Sequence, residues 1–143
     1  MQRKKLRQFG HELFLFLCGG FIYCLIEILF RGRTHWSMYI LGGLCFVIIG
    51  LLNEYFKKMP LVSQMLISSV VITVLEFITG CIVNLWLGLG VWDYSNQPYN
   101  LCGQICLLFT NLWFMLSLLG IFLDDWIRHK LFHKKMPRYH VFM

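Results

Sequence analysis

Four long apolar stretches alternate with short polar connections along this chain. They run Glu12–Phe30, Trp36–Tyr55, Leu61–Leu87 and Leu101–Leu123. Each is near the roughly 20 mostly apolar residues that a helix needs to cross a bilayer. The pattern predicts an all-α fold, a multi-pass four-helix transmembrane bundle. The second stretch has the shortest strictly apolar part. The third is longer than a bilayer requires, so it is expected to tilt or to extend outward. Pro60, Pro98 and Pro137 all lie in connections or the tail, which leaves the helices uninterrupted. The N-terminus has the basic start and apolar core of a signal peptide. It lacks a small-x-small cleavage site and stays apolar to Phe30, so an uncleaved first span is expected. Residues 1–11 form a basic N-terminal segment and residues 124–143 a basic tail. In that tail Trp126, Ile127, Leu131 and Phe132 interleave with bases, so it either continues the fourth helix or lies as an interfacial one.

Each span carries one stripe of small or polar residues at helical spacing. In the third, Ser69, Thr73, Glu76, Gly80 and Asn84 share a narrow face. In the fourth, Gly103, Thr110 and Ser117 repeat at one position. Gly20, Cys24, Glu27 and Arg31 line up in the first span, and Gly43, Gly50 and Glu54 in the second. Small residues let helix backbones approach, and hydroxyls and amides bond across the interface. The stripes predict a tightly packed bundle and do not require a pore.

Composition agrees with membrane residence. The chain is 58% hydrophobic and 14% charged, against about 25% charged residues in soluble domains. Its net charge of +6 sits beside hydrophobic runs, without the interleaved aromatics and bases of a nucleic-acid groove, so nucleic acid is set aside and the lipid bilayer is the expected partner. Eleven Lys and Arg fall on one side of the four-span arrangement: in the N-terminus, the second connection (Lys57, Lys58) and the tail. Arg31 and Arg33 fall on the other side. This bias predicts a cell (inner) membrane protein with both termini cytoplasmic. The third connection, Gly88–Asn100, has no Lys or Arg and becomes an external loop, with Trp92, Asp93, Tyr94 and Asn100 as its candidate residues. Asn100 is expected to cap the fourth helix, and Ser95 to Pro98 reads as a turn. The six cysteines lie in or beside apolar runs and read as small buried hydrophobes, with neither disulfide nor metal assigned. Asp125, His129 and His133 share a helix face, but a solvated face is the simpler reading, so no metal or cofactor is assigned.

Two carboxylates stand out. Glu76 lies near the middle of its span, where an acid costs roughly 2.5–3.5 kcal/mol on insertion scales. It should be paired, water-exposed or protonated, and no cation in its own helix can reach it. Arg31 or Arg33 reaching down from the first hairpin would favour a structural role for it. Glu27 is nearer the helix end, with Arg31 four residues later in the favourable order for an ion pair. The two halves of the chain also echo each other, "YCLIEILFRGRTHWSMYILGGLCF" against "ITVLEFITG…VWDYSNQPYNLCGQICLLF". A tandem two-helix repeat would make Glu27 and Glu76 equivalent.

The same residues carry a family resemblance. Leu25-Ile26-Glu27, His35-Trp36-Ser37-Met38, Gly42-Gly43-Leu44-Cys45 and Trp92-Asp93-Tyr94-Ser95, with Pro98, Asn100, Gly103 and Cys106, resemble the putative ABC-transporter type IV, or CmpB-like, family of small bacterial membrane proteins. The resemblance spans Leu13 to Leu123, and its most specific part is the Trp-Asp-Tyr-Ser loop. It implies a permease component. The chain contains no Gly-x-x-x-x-Gly-Lys-Ser/Thr phosphate loop, so an ABC role would require a separate ATPase.

Three functions compete. The first is a permease or channel-type component, a homo-oligomer or partnered membrane subunit. Glu76 and Glu27 would bind a cation or proton, with Arg31, Thr73, Ser69 and Asn84 along the polar path and Asp93–Asn100 as an external gate. The second is a non-transporting structural or adaptor subunit that binds a partner protein or lipid. The third is an intramembrane enzyme built on Asp93 and His35, with Ser37 or Ser95 as nucleophile. No catalytic constellation fixes the geometry an enzyme needs, so none is assigned.

Overall fold

The computed structural model describes residues 1–56, 58–135 and 139. Lys57 and Arg138, two of the bases counted above, lie outside the described residues, as do Met136, Pro137 and residues 140–143 of the tail. The fold is all-α with one tiny hairpin. Helix α1 spans Gln2–Arg31, α2 Trp36–Tyr55, α3 Leu61–Gly80 and α4 Leu107–Lys130. Strands β1 (Asn100–Leu101) and β2 (Ile105–Cys106) pair antiparallel just before α4. All four helices, with α3 extended to Trp86, are long and apolar enough to cross a membrane.

Local chemistry sets the helix ends. Gly32 ends α1 in the left-handed conformation (φ 72°), returning its N–H to Ile28 O, as a C-terminal glycine does. His35 caps α2: its ring Nδ1 accepts from the Ser37 N–H at 3.2 Å. Pro60 opens α3, and the helix then widens into a π-turn over Cys81–Trp86, a bulge that often marks functional sites.

Two boundaries differ from the sequence expectation. The N-terminal segment is helical from Gln2, so α1 is about 45 Å long and overruns the roughly 30 Å hydrocarbon core. The fourth helix begins at Leu107 rather than Leu101, and it continues to Lys130. The residues before it turn back on themselves. Cys102 (φ 55°) and Gly103 (φ 72°) are both left-handed, as the central residues of a type I′ hairpin turn are. Asn100 therefore does not cap α4. Its Oδ1 accepts from Gly103 N–H at 3.0 Å, and its amide donates to Gln97 O at 2.8 Å. Cys106 takes the N-cap position without a side-chain bond. Gly103 likewise lies in the hairpin and not on the α4 stripe.

Helix α2 is central, packing against α1, α3 and α4, while α3 packs along α4. Met38, Leu41, Cys45 and Ile49 of α2 meet Met65 and Ile72 of α3, Ile121 of α4 and Trp92 of the loop in one buried cluster. The α1–α2 seam is made by glycines. Phe46 lies over Gly19, Tyr23 over Gly42, Tyr39 over Gly20 and Phe16 over Gly43, the close approach that small residues permit. A Cβ added at Gly43 would lie 2.5 Å from the backbone oxygen of Phe16, which cannot move without the helix. Gly43→Ala should therefore part α1 from α2 and lower stability by about 1–3 kcal/mol, read as a lower melting temperature in detergent.

Candidate functional site

The stripe on α3 faces α4 and the loop after it. Ser69 donates to Leu66 O in its own helix at 2.8 Å. Thr73 and Thr110 hydroxyls meet across α3 and α4 at 3.1 Å. Glu76, one turn on, is only 2% exposed. Tyr94 Oη–H donates to its Oε1 and Trp113 Nε1–H to its Oε2, both at 2.8 Å. Each carboxylate oxygen thus has one donor, one from the loop and one from α4. Among the described residues no Lys, Arg or His pairs with Glu76. Arg31 does not reach down to it. It pairs instead with Glu27 at 2.9 Å and donates to Val91 O. The two acids that a tandem repeat would equate therefore have different surroundings: a surface ion pair for Glu27, aromatic donors for Glu76.

The loop does not stand clear of the bundle. Tyr94 bonds Glu76, which lies about 15 Å down the helix from Trp86 at 1.5 Å per residue. Asn84 organises this descent. Its Oδ1 accepts from Val91 N–H at 2.6 Å and Trp92 N–H at 3.3 Å, and its amide donates to Gln104 Oε1 at 2.7 Å. Trp92, buried, donates its indole N–H to Gln104 O at 3.0 Å. Non-helical backbone at depth is tolerated where protein satisfies its polar groups, and Asn84 does this. Asn84→Leu would strand the Val91 and Trp92 amides and Gln104, at about 1–3 kcal/mol. It should raise hydrogen exchange across Val91–Cys106 while α1 and α2 stay protected. Tyr94 stacks on Phe109 with ring centroids 4.7 Å apart. Burial, with Glu76 beside it, pushes the Tyr94 phenol above its ordinary value, so it remains a donor. Asp93 is spent locally: it accepts from Ser95 N–H at 2.9 Å, a bond that holds its carboxyl below the usual range.

Cavities lie on both sides of the Tyr94–Glu76–Trp113 clasp. On the loop side a vestibule of about 330 Å³ is lined by Glu27, Arg31, Arg33, Asp93, Tyr94 and Trp113. On the other side an apolar cleft of about 240 Å³ lies between α1, α2 and α4, with Ile72 and Glu76 of α3 in its wall. Trp113 lines both. Tyr23 against Trp113 bounds the cleft toward the loop. Leu15 packed with Phe46 and Ile127 bounds it toward the termini. Leu116 and Leu119 at its edge are exposed on the flank of the bundle.

A second polar cluster lies at the end carrying the termini. Arg128, 4% exposed, donates Nε–H to Asp124 at 2.9 Å and Nη2–H to Glu12 at 2.8 Å, with Glu54 at 4.0 Å. Neighbouring Asp125 accepts from Asn53 and from the Tyr139 hydroxyl. The sequence reading placed Glu54 on an inward stripe but missed Glu12, Asp124 and Arg128. The available signal was the i, i+4 spacing of Asp124 and Arg128 inside an apolar helix.

Other sequence candidates are not assembled. Asp125 faces Asn53, whereas His129 Nδ1–H donates to Lys134 O, so these two do not converge. His35 is engaged with Ser37 and Asp93 with Ser95, so neither is used on the other.

A family model described as "Putative ABC-transporter type IV" matches residues 14–143. No curated protein and no solved structure matches the chain.

Proposed function

From the premise that this chain belongs to the putative ABC-transporter type IV family, we propose that it is a small permease-type component in which Glu76 meets the transported species. One observation carries this reading. Glu76, a buried carboxylate with no cation partner among the described residues, lies in the wall of the apolar cleft and bonds Tyr94 and Trp113 of the polar vestibule, and Trp113 lines both cavities. Ionisable groups inside a span are costly and mark transport paths. Displacing Tyr94 or Trp113 would open the carboxylate, already in the cleft wall, to the vestibule as well, so the clasp is a gate. The eleven-to-two distribution of bases supports an inner-membrane orientation with both termini cytoplasmic and the Gly88–Asn100 loop outside. The energy source would be a separate ATPase subunit, since the sequence has no phosphate loop of its own. A second copy or a partner membrane subunit would complete the pathway.

A structural or adaptor role is the second reading. It is favoured by the two donors on Glu76, which satisfy the carboxylate as a helix-joining group would be satisfied. Solute flux in proteoliposomes, wild type against Glu76→Gln, separates the two.

A further inference from the structure

The cleft between α1 and α4 has features that the gate alone does not explain. Its walls are apolar: Gly19, Ile22 and Ile26 on α1, Leu116, Leu119 and Gly120 on α4. Among the described residues that line it, Glu76 is the one carboxylate, and none is Lys, Arg or His. Gly120 leaves its side of the cleft empty, since a Cβ there would meet just one atom within 4 Å, Ile49 Cδ1 at 3.9 Å. The edge at Leu116 and Leu119 is exposed where lipid would lie. The volume, about 240 Å³, exceeds the roughly 150 Å³ of an engineered apolar cavity that takes up benzene.

Resting on the transport reading of Glu76, we propose that the cleft binds an amphiphile with a single cationic head and an alkyl or aromatic body, which enters sideways from the bilayer between α1 and α4 and sets its cation on Glu76. The complementarity is specific. The body replaces lipid contacts with the cleft walls, while the head finds a carboxylate that no described cation pairs. A cation at hydrogen-bond distance would hold Glu76 ionised. Trp113 and Tyr23 present aromatic faces nearby, which favour a cationic head over a neutral one. A zwitterionic phospholipid fits poorly, because its phosphate would face the same carboxylate.

The test uses the full chain in phosphatidylcholine nanodiscs. A diazirine derivative of dodecylamine is compared with its dodecanol counterpart, and the labelled peptides are mapped by mass spectrometry. The amine should label Gly19–Ile26 and Leu116–Leu123 about tenfold or more over the alcohol, the scale of one charge-assisted hydrogen bond. Glu76→Gln should abolish that preference. Gly120→Leu, which fills the cleft and leaves Glu76 intact, should abolish labelling by both probes. Equal labelling by amine and alcohol would overturn the proposal, as would label spread over the outer faces at Val70 and Val74. Displacement of the amine by added phosphatidylethanolamine would also overturn it, because a zwitterionic headgroup would then fit the site. Flux of inorganic ions that depends on Glu76, without amine preference, would sink this ligand class and leave the transport reading intact. Amine preference without flux of any solute would do the reverse.

Discussion

Arg128→Met lowers the unfolding free energy by about 3–5 kcal/mol, the usual loss when one partner of a buried ion pair is removed. Arg128 is 4% exposed and bonds two acids, Asp124 at 2.9 Å and Glu12 at 2.8 Å. Without it, Asp124, which has no exposed surface, keeps no partner for either oxygen among the described residues. Among the described residues Glu12 already has one oxygen, Oε2, buried without a partner. Because this cluster joins α1 to α4, the loss should be felt at the terminal end of the bundle first. The double substitution Asp124→Leu with Arg128→Met should recover much of the loss, since both ends of the main pair leave together. Unfolding in mixed micelles measures both. A loss under about 1 kcal/mol for Arg128→Met would mean the cluster behaves as a surface ion pair.

Glu76→Gln has the largest expected effect on activity. Gln keeps the length of Glu and one acceptor oxygen: Trp113 Nε1–H can keep an acceptor while the Gln amide donates to Tyr94 Oη, and the phenol proton loses its acceptor. Stability should fall by only about 1–3 kcal/mol. Any species held by the carboxylate charge loses that charge altogether. Transport should fall by about tenfold to a hundredfold, the equivalent of one charge-assisted hydrogen bond. The separation of a modest stability loss from a large flux loss distinguishes a transport group from a helix-joining one.

The fold was legible because hydrophobic run length and proline placement speak directly of spans. The α3 stripe was legible too, since Ser69, Thr73, Glu76 and Asn84 recur at helical spacing. What covers Glu76 was not legible. Its donors lie 18 and 37 residues away, and no periodicity announces that a loop descends into a bundle. Tyr94 was noticed as a loop residue, but its contact with Glu76 follows from Asn84 anchoring Val91 and Trp92. Trp113 sits inside the fourth apolar run, where nothing in the pattern singles it out. The start of α4 was misplaced because Asn-Leu-Cys-Gly reads as apolar once averaged into its neighbours, while its left-handed Cys102 and Gly103 make a turn. The Glu12–Asp124–Arg128 cluster is not legible, because Glu12 is brought to Arg128 from 116 residues away. Gly19 and Gly42 were overlooked because the reading counted one stripe per helix, and the α1–α2 seam uses a wider face.

The most direct measurement is flux in proteoliposomes reconstituted with the wild-type chain, alone and with a co-reconstituted ATPase subunit. It is compared with Glu76→Gln after both are shown monodisperse in detergent. The panel contains protons, alkali cations, small anions and a fluorescent lipophilic amine. Flux of at least one species in wild type, lost in the well-folded variant, is the expected result. Equal flux in both proteins would contradict the account, as would a variant that falls apart in detergent beside a wild type that moves nothing.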